Sequence, residues 1–356
     1  MASVRKIASV AGVSPATVSR ILNNDPDVDQ KTREAVLKIA NNLGYSPRIG
    51  RRVKTIVGIA LPSDPTRDLG SFDGALVSGA SRGCRDEGFN LAIVDLLTER
   101  KPNEAYTQLF SRLGIRGIIL RRLPALESIL EELAVEGYPH VLIADRTDDE
   151  RISWIHTDSK TPSRDAVRHL IELGHRRIMV GRYTKGGSDT VDRYEGYLAA
   201  HQEAGIEVDP RLVVDCGDEL EDGARAIDFA LSLPEPPTGV YMTHSMSSVG
   251  ALRRIQERGL RVPEDISLVG LDDCDSRLIT HPRMTAVRQD TYDMAYQAAR
   301  WLVRAVESPS EPMRVVIPGL FEVNQTTSLA PDLPIRVLPD GRLMVTGQAQ
   351  DEPRAQ

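Results

Sequence analysis

Residues 4–45 read VRKIASVAGVSPATVSRILNNDPDVDQKTREAVLKIANNLGY, and this stretch breaks into three short helical patterns with two sharp joints. Ile7, Ala8 and Val10 are the apolar positions of the first. Gly12 follows, in a turn where a positive φ carries no steric cost for glycine. Ser14 is placed to cap the second helix, and Pro15 stands at its first position, where a missing N–H is harmless. Val18, Ile21 and Leu22 form its apolar face. The third pattern runs from about residue 31 to 43, with Ala35, Val36, Ile39, Ala40 and Leu43 at helical spacing; Asp29 is its expected cap and Gly44 its end. Two helices across a tight glycine turn, with a third covering them, form a helix-turn-helix layout. The second helix presents Pro15, Ala16, Thr17, Ser19 and Arg20 on or near its polar side. Small apolar side chains suit a thymine methyl, arginine forks onto guanine, and hydroxyls bond phosphates. The competing reading of the same pattern is a three-helix packing unit with no nucleic-acid role.

Charge supports the first reading. The chain has 356 residues and a net charge of −7, but residues 1–54 hold ten Lys/Arg against four Asp/Glu. That segment stands at +6, so the remainder stands at −13. A basic head on an acidic body is the electrostatic footprint of a DNA reader whose body stays off the DNA. Hydrophobic content of 41% and charged content of 27% are ordinary for a globular protein with room for two or three domains. No apolar run approaches the roughly 18 residues that span a bilayer, and the N-terminus does not read as a signal peptide, so a cytoplasmic protein without membrane partners is expected. Cys84, Cys216 and Cys274 are far apart and odd in number, which points to reduced structural thiols.

Beyond residue 54 strands alternate with helices. Strand patterns stand at 55–61, 90–96, 116–120, 140–145 and 154–158, with helical patterns at 72–88, 102–113 and 125–136 between them. The alternation restarts with helices at 161–173, 190–204, 222–232 and 246–258 and strands at 176–181, 212–215, 239–243 and 267–272. A helix at 291–307 and an extended run at 315–323 close the series. Such alternation predicts doubly wound parallel sheets, here in two lobes, with ligands at the carboxyl ends of the strands. The expected organisation is therefore a DNA-binding head at 1–46, a linker at 47–54 and a two-lobed body at 55–330. Lobe 1 comprises about 55–159 and 289–316, and lobe 2 about 160–288 and 317–330. Residues 331–356 read as a loosely attached extension, with a hairpin around Asp340-Gly341 as the alternative.

The stretches IASVAGVSPATVSRILNN (7–24), NNLGYSP (41–47), LGHRRI (173–178), DRYEGYLAAHQEAGI (192–206), GLRVPEDISLVGLDD (259–273) and HPRMTAVRQD (281–290) resemble the lactose-repressor (LacI/GalR) family of bacterial transcription factors. The resemblance covers about residues 3–330. It implies an α/β fold, a helix-turn-helix domain followed by a periplasmic-binding-protein-like body. It also implies a regulator, expected to be a repressor, that binds a palindromic DNA operator as a homodimer and holds a sugar-like effector between its lobes. By the match, Pro15, Ala16 and Arg20 fall at base-reading positions, and Thr17 and Ser19 at positions that support phosphate contacts. Arg193 and Asp272 fall at the family's ligand-binding Arg and Asp.

The sequence departs from the family pattern in three places. The hinge helix with its wedging leucine is replaced by the shorter RIGRRVK, where Arg51, Arg52 and Val53 are the expected DNA contacts and Val53 or Ile49 the wedge. His244-Ser245 stand where Asn-Asp is usual, and Gly217-Asp218-Glu219 where an aromatic often stacks on the ligand. Asp64, Phe72, Arg121, Arg146 and His244 are further effector-site candidates at strand ends or helix starts. Arg121-Arg122 points to an acidic ligand or to a surface pair. No GxGxxG, P-loop, GxSxG or HExxH pattern occurs, so neither an enzyme, a cofactor nor a metal is expected. The altered pocket leaves control by a protein partner as the alternative to a small ligand.

Overall fold

The structure, a computed structural model, describes residues 3–22, 25, 27–43, 56–61, 70–121, 126–308 and 310–346. The chain divides into two compact units, residues 1–54 and 55–356.

The first unit consists of α1 (Val4–Ala11), α2 (Pro15–Leu22) and α3 (Gln30–Asn42). Ser3 caps α1, accepting from Lys6 N, and Gly12 ends it at φ 66°, where a side chain would be strained. Thr17 N donates to Ser14 Oγ at 3.0 Å, and Thr32 N to Asp29 Oδ1 at 2.9 Å, so the two expected caps are made. Ile7, Ala8, Val18, Ile21, Val36 and Ala40 form the core. Val10 and Ala35, read as apolar-face positions, are exposed instead, Val10 at 52%. In helices this short the packed stripe is narrow, and positions at its margin stay in water. Gly44 and the linker residues Ile49, Arg51, Arg52 and Val53 lie outside the described residues.

The second unit holds two six-stranded sheets. The first contains β1 (Ile56–Ala60), β2 (Asn90–Val94), β3 (Ile115–Leu120), β4 (His140–Ile143) and β5 (Trp154–Asp158). Its helices are α4 (Ser71–Asp86), α5 (Leu96–Glu99), α6 (Tyr106–Leu113) and α7 (Leu126–Val135). The chain then crosses to the second lobe. There α8 (Lys160–Glu172), α9 (Ser188–Glu203), α10 (Leu220–Ser232) and α11 (Ser245–Glu257) alternate with β6 (Ile178–Tyr183), β7 (Val213–Cys216), β8 (Gly239–Met242), β9 (Ser267–Asp272) and β10 (Thr285–Arg288). It returns to the first lobe for α12 (Thr291–Glu307) and β11 (Arg314–Pro318), and crosses once more for β12 (Leu320–Glu322).

The orders are β2-β1-β3-β4-β5-β11 and β7-β6-β8-β9-β10-β12. Every pair is parallel except β10 with β12. The run expected as one extended segment at 315–323 is thus divided between sheets. Ile317 and Pro318 pair with Thr157 and Asp158 in the first sheet, two residues beyond the expected lobe boundary. Gly319 makes the passage, and a Cβ there would collide with the Asp158 carbonyl oxygen. The strand β10 was not legible in the periodicity. It is four residues long, and its burial comes from neighbours on either side.

Helix α12 rejoins lobe 1 by lying against α4. A Cβ at Gly79 would strike the Tyr292 carbonyl oxygen, and one at Gly83 the Tyr296 carbonyl oxygen. The two backbones therefore approach more closely than side chains permit. In lobe 2, Gly223 and Gly250 bring α10 and α11 together in the same way, against the carbonyls of Ser247 and Leu220. Cys84 and Cys216 are buried free thiols, and burial pushes them up to about 12 and about 11, so neither is a thiolate at neutral pH. Among the described residues no helix is long and apolar enough to cross a membrane.

The extension is not loosely attached over its described part. Strands β13 (Ile335–Val337) and β14 (Leu343–Val345) pair antiparallel around Gly341 at φ 84°. Ile335, 7% exposed, enters the lobe 2 core, with Val337, Leu343 and Val345 packed beside it. Apolar alternation in a short hairpin has to be buried somewhere, and the far end of α10 supplies the surface, where Arg336 Nε also donates to Ser232 O at 3.1 Å.

Substituting Gly79→Leu forces the α4–α12 backbones apart and is expected to destabilise the body by about 1–3 kcal/mol. The denaturant midpoint of the full chain checks this; an unchanged midpoint contradicts the close approach.

Candidate functional site

The polar face of α2 is open. Pro15, Ala16, Ser19 and Arg20 are exposed, and the Arg20 side chain keeps 67% of its surface with only a loose 4.0 Å pairing to Asp25. Thr17 differs from its neighbours. It is half-buried, and its hydroxyl shares a 2.8 Å hydrogen bond with Ser14 Oγ within the cap. Arg33 donates to the carbonyls of Asp25 and Val28, tying the α2–α3 connection to α3.

The body's site is built from the carboxyl ends of its strands, where a parallel sheet leaves backbone groups and loop side chains free to meet a ligand. In lobe 2 these ends bring together Tyr183 at the end of β6, Thr243 and His244 after β8, Asp272 and Asp273 at the end of β9, and Gln289 after β10. Arg193 reaches them from α9. It is 4% exposed, and its Nη1 donates to Thr243 O at 3.1 Å and its Nη2 to Gln289 Oε1 at 2.9 Å. It also pairs with Asp189 one turn earlier. The His244 ring lies 4.7 Å from the Tyr183 ring. Burial holds His244 below its usual value; Asp273, Asp218 and Asp189 pull it up and Arg193 pushes it down.

Asp272 has both oxygens occupied within its own loop. Oδ1 accepts from Ser276 N and Oγ, each at 2.8 Å, and Oδ2 from Arg277 Nη1 at 2.6 Å. Arg277, nearly buried, also binds Asp275 and Glu322 at 2.6 and 3.1 Å. In this arrangement Asp272 shapes the loop, and the adjacent Asp273 has the unoccupied oxygen.

Lobe 1 contributes Asp145 and Arg146, just past β4. Asp145 Oδ1 accepts from Arg146 N and, across the cleft, from Ser188 N at the start of α9, both at 2.9 Å. The positive end of a helix favours that carboxylate. The Arg146 guanidinium forks onto the carboxylate of Asp192, with Nη2 to Oδ1 at 2.8 Å. Phe72 and Arg121 stay in lobe 1, with Arg121 5.2 Å over the Phe72 ring and paired with Asp73. Asp64 lies outside the described residues.

Six buried polar atoms around this cleft have no hydrogen-bond partner among the described residues: Ser188 Oγ, Arg193 Nε, His244 Nδ1, Asp273 Oδ1, Gln289 Nε2 and Thr291 Oγ1. Buried polar groups are otherwise satisfied as a rule, so the cluster marks this cleft as the candidate site. Of these six residues the sequence reading names Arg193 and His244 and does not name Asp273, Gln289, Ser188 or Thr291. Asp273 follows the chosen Asp272 directly, and Gln289 follows the strand that periodicity did not reveal.

Residues 3–48 match the profile of bacterial regulatory proteins of the lacI family, and residues 167–327 that of a periplasmic binding protein-like domain. The HTH-type transcriptional repressor CytR of Escherichia coli (strain K12) is 32% identical over 307 residues, covering 83% of this chain and 87% of that one. The solved complex of the transcriptional regulator CelR with cellobiose is 28% identical, with TM-score 0.64 over 92% of this chain and 100% of that one. The operator-bound Lac repressor dimer shares the fold, with TM-score 0.71 at 23% identity over 92% of this chain and 99% of that one.

His140, His156, His169, His175, His201 and His244 are all held below the usual histidine value, chiefly by burial, with His175 pushed down to about 4. Each favours its neutral form in the fold, while the unfolded chain takes up a proton near pH 6.5. Stability is therefore complete above about pH 6.5 and lost progressively as the pH falls toward 4. Thermal melts at pH 7.5, 6 and 5 check this; a melting temperature that does not fall contradicts it.

Proposed function

The chain belongs to the LacI family of bacterial regulatory proteins and is a DNA-binding transcriptional repressor, and from that premise we propose that it binds a palindromic operator as a homodimer under the control of a small effector. The effector is a sugar or sugar derivative held between the lobes. The cluster of unpartnered buried polar atoms at the lobe 2 strand ends carries this reading, since it is the surface a bound polar metabolite completes.

One helix-turn-helix reads half a site, and a two-fold protein matches a two-fold sequence. Pro15, Ala16, Ser19 and Arg20 face the groove, Thr17 secures the helix start at the phosphates, and Arg51, Arg52 and Val53 follow the backbone toward the centre of the site. In the body, Arg193, His244, Asp273 and Gln289 hold the effector from lobe 2, with Arg146 on the opposite lip. Asp272 acts by holding the loop that carries Asp273. The relatives act as regulators, and the cleft is read as a binding site without catalysis. An effector changes operator affinity only through its different affinity for the two lobe arrangements.

Arg20→Ala removes a guanine-forking side chain and is expected to cost about 1–3 kcal/mol of sequence discrimination, read in a mobility-shift assay whose wild-type complex contains two chains. Unchanged preference, or a one-chain complex, overturns the recognition scheme. For the body, Arg193→Ala is expected to abolish the change in operator affinity that a screened sugar produces with the wild type. An equal response in both proteins places the effector elsewhere.

A further inference from the structure

The two lobes touch across the cleft through a small set of side chains. Arg146, just past β4 of lobe 1, forks onto Asp192 of α9 in lobe 2, with Nη2 to Oδ1 at 2.8 Å. Its neighbour Asp145 accepts from Ser188 N at 2.9 Å, and a Cβ at Gly187 would collide with that carboxylate. Elsewhere the side chain of Cys274, on the loop after β9, hydrogen-bonds that of Ser71, the first residue of α4. Each contact joins the lobes through the protein's own groups.

The pair between Arg146 and Asp192 is the strongest of them. It is bidentate and charge-assisted, and the Asp192 side chain is only 8% exposed, so solvent screens it little from that side. Arg146, with 39% of its side chain exposed, reaches in from the rim. Among the described residues the hydrogen bonds of the Asp192 carboxylate come from Arg146. The charged and titratable groups that face the pair are Asp145 beside it, Asp189 and Glu195 on α9, Lys160 at the start of α8 and His156 on β5. Asp189 is paired with Arg193, and Glu195 with Lys160 at 2.8 Å, both within lobe 2. Arg146 thus faces carboxylates of both lobes. Removing its charge breaks the bond between the lobes and leaves Asp145 and Asp192 without the cation that both of them face.

We propose that Arg146 and Asp192 form an ionic clasp that holds the lobes together without a ligand and sets the operator affinity of the effector-free protein. The second half rests on the reading above that lobe arrangement controls operator binding. A cleft held only by its ligand falls open when the ligand leaves. Here the lobes carry complementary charges at the contact itself, so the resting body is closed. An effector that enters an open cleft first has to part this pair. Its apparent affinity is reduced by the fraction of time that the clasp is shut.

The test compares the full chain with Arg146→Gln, Asp192→Asn and the double variant, each without ligand. Cys274 is the reporter, because it lies at a separate contact between the lobes, whereas Cys84 and Cys216 are each buried within one lobe. Alkylation by iodoacetamide, followed peptide by peptide in a mass spectrometer, is expected to be about tenfold faster at Cys274 in either single variant. Cys84 and Cys216 are expected to stay slow, as they do in an intact fold. The double variant is expected to match the singles, since all three lack the same bond. Operator affinity, measured on a duplex that the wild type selects from a random pool, is expected to shift about tenfold in one common direction in all three. An unchanged Cys274 rate, or effects that add in the double variant, overturns the clasp. A faster Cys274 with unchanged operator affinity keeps the clasp and overturns its control of DNA binding, and with it the reading that lobe arrangement governs the operator.

Discussion

The body depends on a constraint of connectivity: the chain passes between its two sheets three times, at 158–160, 288–291 and 318–320. Each passage leaves one lobe at the end of a strand and is short, so the carboxyl ends of both sheets are brought to the same side. Gly319 shows how tight the arrangement is, since its backbone lies against the Asp158 carbonyl and leaves no room for a side chain. Helix α12 then has to return to lobe 1, and the glycines of α4 let it lie directly on that helix's backbone. Close-packed helices of this kind move as rigid pieces. Relative motion is left to the three connections, a layout suited to hinge closure.

Across the cleft the lobes meet through charge and dipole. Asp145 of lobe 1 accepts from the first N–H of α9, and Arg146 forks onto Asp192 one turn further along the same helix. Helix α9 also carries Arg193, which gathers Thr243 and Gln289 in lobe 2. One helix therefore links the contacts between the lobes to the polar groups at the lobe 2 strand ends.

The head follows a simpler principle. Its three helices are too short to be stable alone, and their caps and a small apolar core hold them together. Ser14 and Thr17 commit their hydroxyls to the start of α2, which frees Ala16, Ser19 and Arg20 to face outward. Capping and exposed side chains are thus divided within seven residues.

Sequence alone determined the helix-turn-helix, its caps at Ser14 and Asp29 and the two-lobed parallel architecture. These rest on local signals: helical and strand periodicity, cap chemistry and glycine turns within a few residues of one another. Tertiary structure decided the rest. The division of residues 314–322 between two sheets and the existence of β10 depend on pairing with strands distant in the chain. The docking of the 335–345 hairpin depends on an apolar surface supplied by α10. The hydrogen bonding of Asp272, but not Asp273, within the loop turns on Arg277 and Ser276, which occupy both oxygens of the first, while Asp273 Oδ1 has no partner among the described residues. Whether a carboxylate is spent or free depends on what the fold packs around it, and no local pattern encodes that.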